Sequence, residues 1–197
     1  MASIAPSQAL TYLSALISLY STISIFLTIR YFSKPSGPTP GPNLLHLASF
    51  STLTILGNAT FMHGIYHRAF YSAPPTPSRL AFILALQAAS HALWTWTIRT
   101  VSPNQFTRAM SRDTPKELVT TGPYAYTRNP FYTAYLMTYA ATALLSGRVV
   151  DYVLLSAFYV CYYLVSLGEE RKFMESRLRG EYERFKGSRV RFFVGDF

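Results

Sequence analysis

The sequence predicts an all-α polytopic membrane protein with about five transmembrane helices, the last two a tight hairpin, and a C-terminal amphipathic cytosolic helix. Three observations predict it. Half of the 197 residues are hydrophobic and only 14% are charged, against about 25% in a soluble domain. No Asp or Glu occurs before Asp113, whereas 169–183 holds five acids. A first half without acids covers a soluble surface poorly and suits lipid surroundings. The bases, finally, lie in short stretches between apolar runs. That arrangement directs the net charge of +9 toward anionic headgroups of a lipid bilayer and away from nucleic acid.

The first span is expected at Gln8 to Phe32, which carries no charge before Arg30. It is long and has no basic region ahead of it, so it reads as a span and not as a cleavable signal peptide. The Pro/Gly loop Lys34 to Asn43 follows, then a second span at Leu44 to Tyr66. His67, Arg68 and the breaker Pro74 to Pro77 lead into a third span at Arg79 to Ile98, with Trp94 and Trp96 in the position of an interfacial belt. These three runs satisfy the roughly 20 apolar residues that a crossing needs.

From Arg99 to Arg128 the chain is basic and interrupted by Pro103, Pro115, Gly122 and Pro123. It is expected on the membrane surface. The fourth span is Pro130 to Leu145 and the fifth Val149 to Leu167, separated by Ser146-Gly147-Arg148, which makes a helical hairpin. From Glu169 to Lys186, Phe173, Leu178, Tyr182 and Phe185 recur at near-helical spacing, the pattern of an amphipathic helix. The chain is thus one membrane domain, 1–197, with three leading spans in 1–99 and the chemistry in 100–197.

Five spans put the termini on opposite sides. One side receives fifteen Lys and Arg, the other only Arg68, Arg79 and Arg148. The positive-inside rule then makes the C-terminus cytosolic and the N-terminus lumenal. In a eukaryotic cell the membrane would be the endoplasmic reticulum. Topology also makes neighbours of the segments at the two ends of the hairpin, Leu118 to Tyr132 and Glu169 to Arg191. They hold the richest polar chemistry in the chain.

The first of these segments is Glu117-Leu-Val-Thr-Thr-Gly-Pro-Tyr-Ala-Tyr-Thr-Arg-Asn-Pro-Phe-Tyr132. Gly122-Pro123 makes a turn. Asn129-Pro130 opens the fourth span as N-cap and first helical residue, so both residues have a structural explanation. Arg128 and Tyr124, Tyr126 and Tyr132 have one too, as headgroup anchor and interfacial belt. The second segment begins Gly168-Glu169-Glu170-Arg171-Lys172. Two adjacent carboxylates at an interface need solvent or partners. They fit either a helix start, where the dipole favours acids, or a ligand site. His63 and His67 share a helix face at i, i+4, but no carboxylate in that half completes a metal site, and none is expected. Cys161, alone in an apolar run, reads as a structural thiol.

GPYAYTRNPFY, a membrane hairpin, Glu169-Glu170 and the tail GEYERFKGSRVRFF occur in that order. Together they resemble the isoprenylcysteine carboxyl methyltransferase and phospholipid methyltransferase family of integral membrane methyltransferases, over about Lys116 to Phe193. The resemblance implies S-adenosyl-L-methionine as cofactor. It implies a cofactor site formed by Lys116, Glu117, Leu118, Val119, Tyr124, Asn129, Pro130, Phe131, Tyr132 and Glu170. It implies methyl transfer to a lipid-like acceptor, the carboxylate of a prenylated protein C-terminus in first place and a phospholipid or other small lipid as the alternative. Sterol-reductase-like NADPH chemistry, or an inactive relative, are lesser alternatives. Arg128, at the mouth of the fourth span, is the candidate to pair with an anionic acceptor, and Glu169 or Glu170 the candidate base for an amine acceptor. The chain departs from the family at Asn129, often His; at Ala134, usually Gly; and at Ser166, where the prenylcysteine enzymes carry an Arg thought to hold the substrate carboxylate.

Overall fold

A computed structural model describes residues 8–9, 11–20, 23, 44–71, 73, 75–101 and 114–192, with the side chains of 44–54 and 71 outside that description. The expected Pro/Gly loop, the rest of the first span and residues 102–113 of the expected surface stretch lie outside the described residues. Among those described the chain is all-helical. The helices are α1 (Thr11–Tyr20), α2 (Leu44–Tyr71), α3 (Pro77–Thr100), α4 (Pro130–Ser146), α5 (Val149–Met174) and α6 (Arg179–Gly187). One of them, α5, is long and apolar enough to cross a membrane by length and composition.

α4 is the central helix. Its apolar and small residues, among them Phe131, Ala134, Tyr139, Ala141, Ala143 and Leu145, are buried all round, as expected of a helix enclosed by others. Hydroxyls inside it are satisfied locally or across to α3. Thr142 donates to the Thr138 carbonyl at 2.9 Å, and Ser90 donates to the Ala134 carbonyl at 2.7 Å. Small residues let these helices approach closely, and interhelical hydrogen bonds add specificity. From the same buried stripe of α3, the Gln87 amide donates to Ser18 Oγ at 2.6 Å and to the Ser14 carbonyl at 3.1 Å, which fixes α1. A Cβ at Gly57 would lie 2.6 Å from Phe158 Cζ, so α2 and α5 touch backbone to ring.

The hairpin turn has its own lock. Gly147 adopts φ 71° and ends α4 in a left-handed cap, the usual place for glycine. Arg79 Nε donates to the Leu144 carbonyl at 3.0 Å, which satisfies an orphan carbonyl of that helix end. Large apolar side chains of α5, including Val153, Val160 and Leu164, remain exposed. They make a face suited to lipid.

Three sequence expectations need correction. His67 and Arg68 are not in a loop, because α2 continues to Tyr71. The acids at Glu169 and Glu170 do not start a tail helix. α5 runs unbroken to Met174, the chain turns over 175–178, and only Arg179–Gly187 is the tail helix. The pair therefore sits toward the C-terminal end of α5, where the helix dipole opposes negative charge. Their position must be stabilised by something other than the dipole. Asn129, finally, occupies the N-cap position of α4 but makes no side-chain cap hydrogen bond. Its amide donates instead to the Arg191 carbonyl at 3.3 Å.

Candidate functional site

The polar segment before the hairpin folds as a short turn over the end of α3. Gly122 has φ 59°, and a Cβ there would lie 2.5 Å from Thr100 Oγ1, so this glycine is required on both counts. The 3₁₀ turn Gly122–Ala125 lies just before a point where the chain meets its own tail. Thr127 and Val190 form an isolated parallel bridge, with Arg128 N–H donating to the Val190 carbonyl at 2.9 Å. Thr127 Oγ1 donates to the Arg191 carbonyl at 2.7 Å. The segment after α6 is thus held against the segment before α4.

This clasp places three cations around one carboxylate. Arg128 Nη1 donates to Glu170 Oε1 at 2.9 Å, Arg191 Nη1 lies 2.8 Å from the same oxygen, and Lys186 Nζ lies 3.1 Å from Oε2. Arg128, Arg191 and Glu170 are all less than one-tenth exposed, whereas the Lys186 side chain is 46% exposed. Arg191 Nη1 also donates to Ser166 Oγ at 2.8 Å, and its guanidinium stacks over the Tyr163 ring. These cations are what offset the unfavourable dipole at the end of α5. Glu169 has a different environment. Tyr132 donates its phenol to Glu169 Oε1 at 2.6 Å.

Beside these groups lies a small cleft, open to solvent, with a volume of about 90 Å³. Glu117, Leu118, Val119, Tyr124, Arg128, Asn129, Pro130, Phe131, Tyr132, Glu169 and Glu170 line it. Of the residues assigned from the sequence to cofactor binding or catalysis, only Lys116 does not. It is exposed, and its carbonyl accepts from Arg177 at 3.1 Å. Four further lining residues escaped the sequence reading: Val101 at the end of α3, and Phe173, Tyr182 and Phe185. The last three carried a signal, since their helical spacing marked an apolar face, though not what that face covers. Lys186 and Arg191 lie within the tail motif GEYERFKGSRVRFF, but nothing in the sequence pointed to the carboxylate they meet.

The electrostatics of the lining are lopsided. Glu117 and Glu169 are the carboxylates on the lining that lie outside the cation cluster, since Glu170 is held by Arg128, Arg191 and Lys186. Aromatic rings complete the wall, with Phe173 and Tyr182 stacked at 4.7 Å between centroids. Burial, and then the charge of Glu169, push the Tyr124 phenol above the usual tyrosine value. Burial and the charge of Glu170 do the same for Tyr182, against the opposing charge and hydrogen bond of Arg128. Both phenols remain neutral donors at neutral pH. Such a cleft suits a flat aromatic group joined to a positive centre.

At the opposite end of the molecule, His63 Nδ1 contacts Arg148 Nη1 at 2.9 Å. Among the described residues no group of three potential metal ligands occurs. A search of the curated proteins finds no significant match to the chain. The family model of phospholipid methyltransferases does match, over residues 77–179, from the start of α3 to the start of α6 and more than half of the chain, and the chain belongs to that family.

Proposed function

We propose that the chain transfers a methyl group from S-adenosylmethionine to a lipid-like acceptor at this cleft. The observation that carries the reading is the convergence of both motif segments on one cleft with three carboxylates and an aromatic wall. Family members generally use this cofactor. S-adenosylmethionine supplies an electrophilic methyl on a positively charged sulfur. Glu117 and Glu169 provide negative charge near that sulfur, and Phe173, Tyr124 and Tyr182 provide flat apolar surface for its adenine. The tail clasped across the turn before α4 fixes one wall of the cleft, which favours an in-line displacement between aligned partners.

The acceptor best suited to this surround is a lipid amine, such as the headgroup of an aminophospholipid. An amine must lose one proton on methylation, and Glu169 is a carboxylate positioned by Tyr132 to accept it. The carboxylate of a prenylated cysteine is the second reading. It is favoured by the order of the sequence motifs, and it requires a cation for the acceptor. Arg128 is less suited to that role than its position in the sequence implied, because it is bound to Glu170.

Binding isotherms on detergent-purified protein test the cofactor. S-adenosylmethionine is expected to bind and NADPH not to. Binding of NADPH alone would transfer the cleft to reductase chemistry. Methylation assays with phosphatidylethanolamine and farnesylcysteine analogues then separate the acceptors, and methylation of the farnesyl compound alone would remove the amine reading.

The proposal includes five spans, with a lumenal N-terminus and the cleft on the cytosolic face of an internal membrane such as the endoplasmic reticulum. The fifteen-to-three partition of bases supports it. Reporter tags at the two ends are expected on opposite sides of the membrane. Two cytosolic tags would discard the five-span arrangement.

A further inference from the structure

The clasp described above lies at a seam between two surfaces of different character. On one side is the cleft. On the other is the outer face of α5, where Val160, Tyr163, Leu164 and Leu167 are exposed at i, i+3, i+4, i+7 spacing. Tyr163, Ser166 and Glu170 form the adjoining stripe of the same helix. Arg191 lies along that stripe, stacked on Tyr163, hydrogen-bonded to Ser166 and paired with Glu170. Lys186 reaches the same carboxylate from α6 and stays nearly half exposed.

Resting on the proposed methyl transfer to a lipid acceptor, we infer that Lys186 and Arg191 form an oxyanion subsite that receives the acceptor's phosphodiester. A lipid with its chains along Val160, Leu164 and Leu167 brings its headgroup to the height of Glu170. Three cations there converge on one carboxylate, an excess that an arriving oxyanion lowers. The Lys186 ammonium has three donors, with one directed at Glu170. In an aminophospholipid the nitrogen lies two carbons beyond the phosphodiester. A phosphate held at the seam therefore projects the amine toward the cleft and Glu169. The cofactor's own carboxylate is the other oxyanion of suitable chemistry, and the test has to distinguish the two.

The test measures binding, so it does not depend on turnover. Affinities are measured for dihexanoyl phosphatidylethanolamine, for dihexanoylglycerol, which lacks the phosphate, and for S-adenosylmethionine. The parent is expected to prefer the phospholipid over the diglyceride. Loss of one charge-assisted contact corresponds to roughly tenfold or more in affinity. Lys186→Gln is expected to weaken phospholipid binding by about that factor, while leaving the diglyceride and the cofactor unchanged. Arg191→Gln should have the same selectivity, and Lys186→Gln, at a half-exposed position, gives the answer even where the buried variant fails to fold. No preference of the parent for the phospholipid, or a preference that survives Lys186→Gln, overturns the subsite. So does a loss that falls on S-adenosylmethionine, which would assign the oxyanion to the cofactor. Failure of the parent to bind S-adenosylmethionine at all would instead remove the methyl-transfer reading and leave the lipid result standing by itself.

Discussion

Glu170→Gln is expected to destabilise the protein by about 3–5 kcal/mol, the usual cost of leaving buried charges without their partner. The carboxylate is the common counter-ion of Arg128, Arg191 and Lys186, and the two guanidinium groups are buried with it. Removing its charge leaves three cations in mutual repulsion, two of them out of water. From the sequence, where Glu170 reads as an interfacial acid, the same substitution would weaken the cofactor and spare the fold. The environment of the side chain reverses that expectation. Chemical denaturation in detergent or in nanodiscs, with Glu169→Gln as comparison, measures the difference. Glu169 is only partly buried and is hydrogen-bonded by Tyr132, so its amide should cost much less stability, roughly the 0.5–1.5 kcal/mol of one hydrogen bond. Equal effects of the two substitutions would mean that the three-cation arrangement contributes nothing particular.

Ser166→Arg is expected to abolish activity on every acceptor and to destabilise by at least about 3 kcal/mol, from overpacking together with an unpaired buried charge. The resemblance to prenylcysteine enzymes suggested the opposite, a cation returned to its family position. Here the serine is fully buried and its hydroxyl accepts from Arg191 at 2.8 Å. A second guanidinium would have to enter an occupied space beside a first. The exchange Ser166→Arg with Arg191→Ser keeps one guanidinium and one hydroxyl at the contact, and is expected to recover much of the lost stability. A single variant with parental stability and turnover would show that Arg191 yields the space freely.

Much of the helical frame was legible in the hydrophobic runs. α3, α4 and α5 begin within two residues of the expected positions, because Pro77, Pro130 and the Ser146-Gly147-Arg148 turn punctuate the sequence with clear chemistry. The meeting of the two polar segments was legible as well, since a tight hairpin returns its ends to one place. The far end of α5 was not. Gly168-Glu169-Glu170 looks like a boundary when hydropathy is the only guide, yet a helix continues wherever its charged residues find partners, and here those partners come from 16 to 42 residues away in the chain. The same holds for Asn129. A local cap is what its neighbours in sequence predict, and the Arg191 carbonyl that takes its amide is 62 residues distant. The pairing of Lys186 and Arg191 with Glu170 was invisible for this reason, although both lie in the tail motif: it depends on where a nine-residue helix turns back.

The unbroken course of α5 has a geometric consequence. Its 26 residues extend about 39 Å at 1.5 Å per residue, whereas the hydrocarbon layer is about 30 Å thick. A layer of that thickness takes up about twenty residues, which in α5 means Val149 to Gly168. Glu169 and Glu170 are then the first residues beyond it. In the five-span arrangement α5 acts as a gauge rod, with its foot fixed at the hairpin turn and its graduation mark at the carboxylates. One residue added to or taken from the apolar length would turn Glu170 by about 100° about the axis, away from Arg128 and Arg191. The thickness of the bilayer and the angular setting of the site are therefore written into a single measurement.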